Sequence, residues 1–134
     1  MRDGTQNGGF SLVELIIVIA IMAILIGVLA PQYIKYVEKS RVSSDEDIAD
    51  ALLDASYTMV ADENIYSSIS NGSVIEFANG ISTDNTGVAA GLAEYFGSGY
   101  SGKSVKSKSY RGKTYVVYFS TNAKGDFVVT DSWR

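Results

Sequence analysis

The stretch Gly8-Gly9-Phe10-Ser11-Leu12-Val13-Glu14-Leu15-Ile16-Ile17-Val18-Ile19-Ala20, GGFSLVELIIVIA, decides how the rest of the chain is read. It opens an apolar run of 21 residues, Phe10 to Ala30, in which Glu14 is the only charge. A helix rising about 1.5 Å per residue spans roughly 30 Å over that length, the hydrocarbon thickness of a bilayer. A carboxylate inside such a segment costs free energy and is usually kept for a function. Glu14 therefore calls for a partner. Beyond Pro31 the composition becomes that of a soluble domain, so the 134 residues hold one small domain plus a membrane-length element.

The chain has no cysteine and no histidine. That excludes disulfides, thiolate metal sites and the commonest general base. The net charge of −4 conceals an asymmetry. Residues 38–94 carry eleven acidic residues against Lys39 and Arg41, and residues 103–134 carry seven basic residues against Asp126 and Asp131. Two readings stand: solvated faces with lysines that block edge pairing, or complementary surfaces that meet between copies.

A secretory signal would have a basic leader, a short apolar core and a cleavage site after it. Here the leader, residues 1–9, is polar with only Arg2 and Asp3 charged, and the apolar run is too long for a signal core. Ala30 at its far end is followed by Pro31, whereas Gly8-Gly9 precedes the run. A cut between Gly9 and Phe10 would leave the apolar helix on the mature protein. Loop charge gives no clear orientation, because Arg2 lies before the run and Lys35, Lys39 and Arg41 follow it.

Gly9-Phe10-Ser11-Leu12-Val13-Glu14, followed by an uninterrupted apolar run ending at Pro31, resembles the N-terminal signature of type IV prepilins and pseudopilins. The resemblance covers about residues 1–60; the remaining domain matches only in general architecture. It implies an α+β fold, with a long N-terminal helix packed by a small antiparallel sheet. It implies a leader at 1–9 removed by a prepilin peptidase after Gly9, and methylation of the new amine on Phe10. It also implies a hydrophobic membrane and assembly helix at 10–31, an amphipathic continuation at 32–60 and a headgroup at 61–134. Glu14 would pair with the N-terminal amine of a neighbouring subunit. The expected partners are other copies of the chain, the peptidase, the pilus assembly machinery and the membrane before assembly. No cofactor and no catalytic residue are implied. The precursor would sit in the cytoplasmic membrane, and the mature subunit in a filament on the cell surface. The alternatives are a pseudopilin of a secretion or competence system, and a single-pass anchored binding protein that never assembles.

Within the apolar helix, Ala20, Ala23, Gly27 and Ala30 or Pro31 recur at spacings of three and four. They make a stripe of small residues that lets apolar helices approach closely. Pro31 removes a backbone donor and crowds the preceding turn, which predicts a kink there. After it, Ile34, Val37, Val42, Ile48, Ala49, Leu52, Leu53, Tyr57 and Val60 continue at helical spacing. Tyr33 and Tyr36 fall at the expected membrane boundary, where such rings are favoured.

In the headgroup, residues 61–86 read mostly as loops, with a short strand at Val74–Phe77 before the Asn79-Gly80 turn. Thr86–Phe96 reads as a helix, and a three-stranded meander over about 104–132 follows, its first strand at Val105–Tyr110. Gly97-Ser98-Gly99-Tyr100-Ser101-Gly102-Lys103-Ser104 fits the phosphate-loop pattern letter for letter. That loop must follow a strand and open a helix, and here it follows a helix. Asn71-Gly72-Ser73 is a glycosylation sequon and a turn signal. Thr121, Asn122 and Asp126 offer too few oxygens for calcium. Lys103, Lys106, Lys108, Arg111 and Lys113 would bind DNA only weakly and without sequence preference, with edge-strand solubility as the plainer reading.

Overall fold

The computed structural model describes residues 8–134; the leader expected at 1–9 lies outside the described residues except for Gly8 and Gly9. The elements are α1 (Leu12–Ala61), α2 (Glu63–Tyr66), β1 (Val74–Phe77), β2 (Ile81–Thr83), α3 (Thr86–Phe96), a 3-10 turn at Tyr100–Gly102, β3 (Tyr115–Thr121) and β4 (Phe127–Trp133). The chain divides into two compact units, one ending at Val37 and the other running from Glu38 to Arg134.

In the first unit α1 runs through Pro31 as an unbroken helix. The proline ring leaves the carbonyl of Gly27, one turn back, without its usual donor. Its apolar side chains from Leu12 to Leu29 are exposed, as are Tyr33 and Tyr36 at 69% and 70%. The helix is long and apolar enough to cross a membrane.

The second unit is organised around a four-stranded antiparallel sheet in the order β2-β1-β3-β4. This corrects the expected three strands. β1 pairs with β3 through Ile75↔Val117 and Phe77↔Tyr115, and β3 pairs with β4 through Phe119↔Val129. The period-two pattern turns Ile75, Phe77, Tyr115, Val117, Phe119 and Val129 into one core with Ala49, Leu52, Ala55 and Met59 of α1. Val88 and Leu92 of α3, both fully buried, complete it. Asn85 caps α3, its side chain accepting from the N–H groups of Gly87 and Val88 at 2.8 and 3.0 Å. Gly91 lets α3 approach α1 closely: a Cβ there would lie 2.7 Å from Met59 Sδ, so the Met59 side chain would have to shift.

Val105–Tyr110 is not a strand. The N–H groups of Lys106, Ser107, Lys108 and Ser109 go instead to two carboxylates of α1. Asp45, 0% exposed, accepts from Lys106 N at 3.0 and 3.2 Å and from Ser107 N at 2.8 Å. Glu38 accepts from the N–H groups of Lys108 and Ser109. Tyr110 then donates its hydroxyl to Glu46 at 2.8 Å, and that bond raises the phenol pKa above its ordinary value. The ring of Tyr110 stacks on Trp133 at the end of β4, 4.1 Å between centroids. An acidic helix face thus carries an irregular segment by main-chain hydrogen bonds, and the lysine side chains of that segment stay exposed.

Tyr115 donates its hydroxyl to Asp131 at 2.8 Å across the β3–β4 pair. Burial first, then this bond and the Asp131 charge, push the phenol well above its ordinary value. A raised phenol pKa favours the neutral ring in the folded chain. Its stabilisation is full below the unfolded value near 10 and is lost as pH rises through the folded one. Thermal melts should therefore hold steady up to about pH 10 and fall beyond it. Tyr115→Phe should remove part of that alkaline decline; an unchanged decline would assign it to other groups.

Candidate assembly site

The start of α1 is built by two residues. Ser11 is its N-cap: its carbonyl accepts from Leu15 N at 3.2 Å, and its hydroxyl accepts from Glu14 N at 3.2 Å. Glu14 returns the bond, its Oε2 accepting from Ser11 N at 3.1 Å. This is a capping box, in which a serine and a glutamate three residues on satisfy each other's free backbone donors. The S-x-x-E spacing is the signal of this box in the sequence, where Glu14 reads first as a lone charge in an apolar run.

Oε1 of Glu14 takes no hydrogen bond among the described residues. Beside it Phe10, Leu15, Val18 and the carbon chain of Glu14 line an open, wholly apolar notch of about 520 Å³. The carboxylate thus stands next to an apolar surface at the helix N-terminus, close in sequence to the Gly9–Phe10 bond. A cation at this end of a helix is disfavoured by the aligned peptide dipoles, by about 0.3–1 kcal/mol. An amine on Phe10 would therefore gain from a nearby carboxylate.

Ala20, Ala23, Gly27 and Pro31 are exposed along α1, and nothing lies within 4 Å of a Cβ built on Gly27. This unit leaves close approach to the helix open along those positions.

The other sequence candidates fall elsewhere. Gly97–Ser104 leaves α3, makes the 3-10 turn and runs into the irregular segment rather than a helix, so it lacks the setting of a phosphate loop. Residues after it are not the strand the sequence suggested. Lys103, Lys106, Lys108, Arg111 and Lys113 are all exposed on or beside that segment, not on an edge strand. Asn71 sits in a turn, and its side chain accepts from Thr121 N at 3.1 Å. Asn122 organises the β3–β4 hairpin by accepting from the N–H groups of Lys124 and Asp126 at 2.8 and 3.0 Å.

The prokaryotic N-terminal methylation motif matches residues 5–30. The chain is 34% identical over 70 residues to the type IV major pilin protein PilA of Myxococcus xanthus, which is 52% of this chain and 32% of that protein. It is 33% identical over 72 residues to prepilin peptidase-dependent protein A of Clostridium perfringens, 52% of this chain and 51% of that one. The chain thus spans from about a third to half of the curated relatives it matches. No solved structure matches it. The chain carries the N-terminal methylation motif at the head of an apolar helix, on an α+β fold of the type IV pilin kind.

Proposed function

We propose that this chain is the structural subunit of a type IV pilus-like filament on the cell surface. In this reading a prepilin peptidase cuts between Gly9 and Phe10 and the new amine of Phe10 is methylated. The subunit is held in the cytoplasmic membrane by residues 10–31 until the assembly machinery extracts it. Copies then pack through the apolar helix, with Ala20, Ala23, Gly27 and Pro31 allowing close approach. Glu14 receives the amine of a neighbour.

One observation carries this reading. The only charge of the apolar segment stands at its first turn, satisfied on one oxygen by Ser11 and open on the other. A carboxylate needed only for capping could be glutamine. A negative charge kept there matches a cation arriving from outside the subunit. The filament bond is then a charge pair about one helical turn from the end of each subunit.

The test is an intact mass of the chain from filaments sheared off cells. The expected species begins at Phe10 and is one methyl heavier than the unmodified mature chain. A species still beginning at Met1 and confined to the membrane fraction would overturn processing and assembly together, and would favour the single-pass anchored protein.

A further inference from the structure

Two Asn-Gly steps lie in the second unit, Asn71-Gly72 and Asn79-Gly80. A third, Asn7-Gly8, begins outside the described residues and ahead of the expected cut. Asparagine before glycine is the step most open to spontaneous deamidation, because glycine has no Cβ to hinder its own nitrogen. Whether it happens depends on two local conditions. The glycine nitrogen must be free to attack, and the asparagine side chain must be free to be attacked.

The fold treats the two steps in opposite ways. At the first, Gly72 N donates to the carbonyl of Phe119 at 2.7 Å. Asn71 Oδ1 accepts from Thr121 N at 3.1 Å. Nucleophile and electrophile are both held, each by β3 or its end. At the second, Asn79 is exposed and its side chain makes no hydrogen bond among the described residues. Gly80 N has no acceptor there either. In the same turn the Gly80 carbonyl accepts from Ala78 N at 3.1 Å, and the Ala78 carbonyl accepts from Val105 N at 2.8 Å.

We propose that Asn79 is a self-modifying site, converted by its own backbone to aspartate and isoaspartate, while Asn71 is protected. The Gly80 nitrogen forms a bond to Cγ of Asn79 and closes a five-membered succinimide. The Cγ–NH2 bond breaks, and ammonia leaves with the proton from the Gly80 amide. Water then opens the ring at one of its two carbonyls, giving aspartate or isoaspartate. No oxidant, metal or second protein is needed. Each event adds one negative charge to an exposed turn. The isoaspartate product also lengthens the main chain between β1 and β2 by one methylene. That moves Ala78 O away from Val105 N, so the modification loosens the anchoring of the segment that follows the 3-10 turn.

The full chain in detergent micelles is incubated at mildly alkaline pH, sampled over days and cleaved after glutamate. Cleavage at Glu63, Glu76 and Glu94 puts Asn71 in the peptide 64–76 and Asn79 in the peptide 77–94. The expected result is a gain of about one dalton, and a split chromatographic peak, in 77–94 while 64–76 is unchanged. In strong denaturant both peptides should change at similar rates, which shows that the fold makes the difference. Asn79→Gln should abolish the change in 77–94. Modification of 64–76 as fast as 77–94 in the folded chain, or a 77–94 peptide that changes only in denaturant, would overturn the proposal.

Discussion

Glu14→Gln should leave the precursor at normal levels in the membrane and lower filament yield by at least a hundred-fold. Glutamine can still serve in the capping box with Ser11, so the start of α1 is preserved. What it removes is the charge. In the proposed filament a neighbour's amine would then be buried without a counter-ion. Breaking a buried pair in this way commonly costs about 3–5 kcal/mol. At about 1.4 kcal/mol per factor of ten, that is roughly 10²- to 4 × 10³-fold in incorporation. The Coulomb term alone, about 4 kcal/mol for unit charges 4 Å apart at an effective dielectric of 20, has the same size. Glu14→Leu should do at least as much, since it loses the box as well. Filaments in normal amount from Glu14→Gln would mean that capping is the whole role of the side chain. Because glutamine keeps the fold of the helix end, the result separates an assembly defect from a folding defect.

The second large effect belongs to the headgroup. Asp45→Ala should destabilise the second unit by about 3 kcal/mol. The carboxylate is fully buried and accepts from two backbone N–H groups, and truncation strands both. Each buried donor left unsatisfied costs about 1–3 kcal/mol. For a unit of this size that is a fall in melting temperature of roughly 15–20 °C. Asp47→Ala, two residues on and exposed, should shift stability by less than about 0.5 kcal/mol. The pair is read by thermal unfolding of the full chain in detergent. Equal melting of the two variants would mean that the segment after Val105 holds its place without Asp45.

The contrast between these sites explains what sequence reading could and could not reach. Gly9, Phe10 and Glu14 lie within six consecutive positions, so their pattern is legible from order alone. The helix at Thr86–Phe96 was also legible, from Val88, Ala89, Leu92 and Phe96 at helical spacing. Val74–Phe77 was legible as a short strand before an Asn-Gly turn. The strand after that turn was not, since Ile81–Thr83 is three residues long and only Ile81 is buried. Val105–Tyr110 misled because its alternation of Lys with smaller residues mimics a strand. Its backbone partners, Asp45 and Glu38, lie more than sixty residues away, and no local pattern announces them. Five acidic residues lie between Asp45 and Asp54, yet only Asp45 among them is buried. Which carboxylate turns inward is set by what packs over it, not by its neighbours in the chain.

The stacking of Tyr110 on Trp133 gives the molecule an optical gauge. Trp133 is the only tryptophan. Its indole lies 4.1 Å from a ring whose hydroxyl is tied to Glu46, in the same stretch that Asp45 and Glu38 hold. Release of that stretch wets the indole before the β3–β4 pairing need break. Emission from a single fluorophore then separates a local opening from global unfolding, without any label.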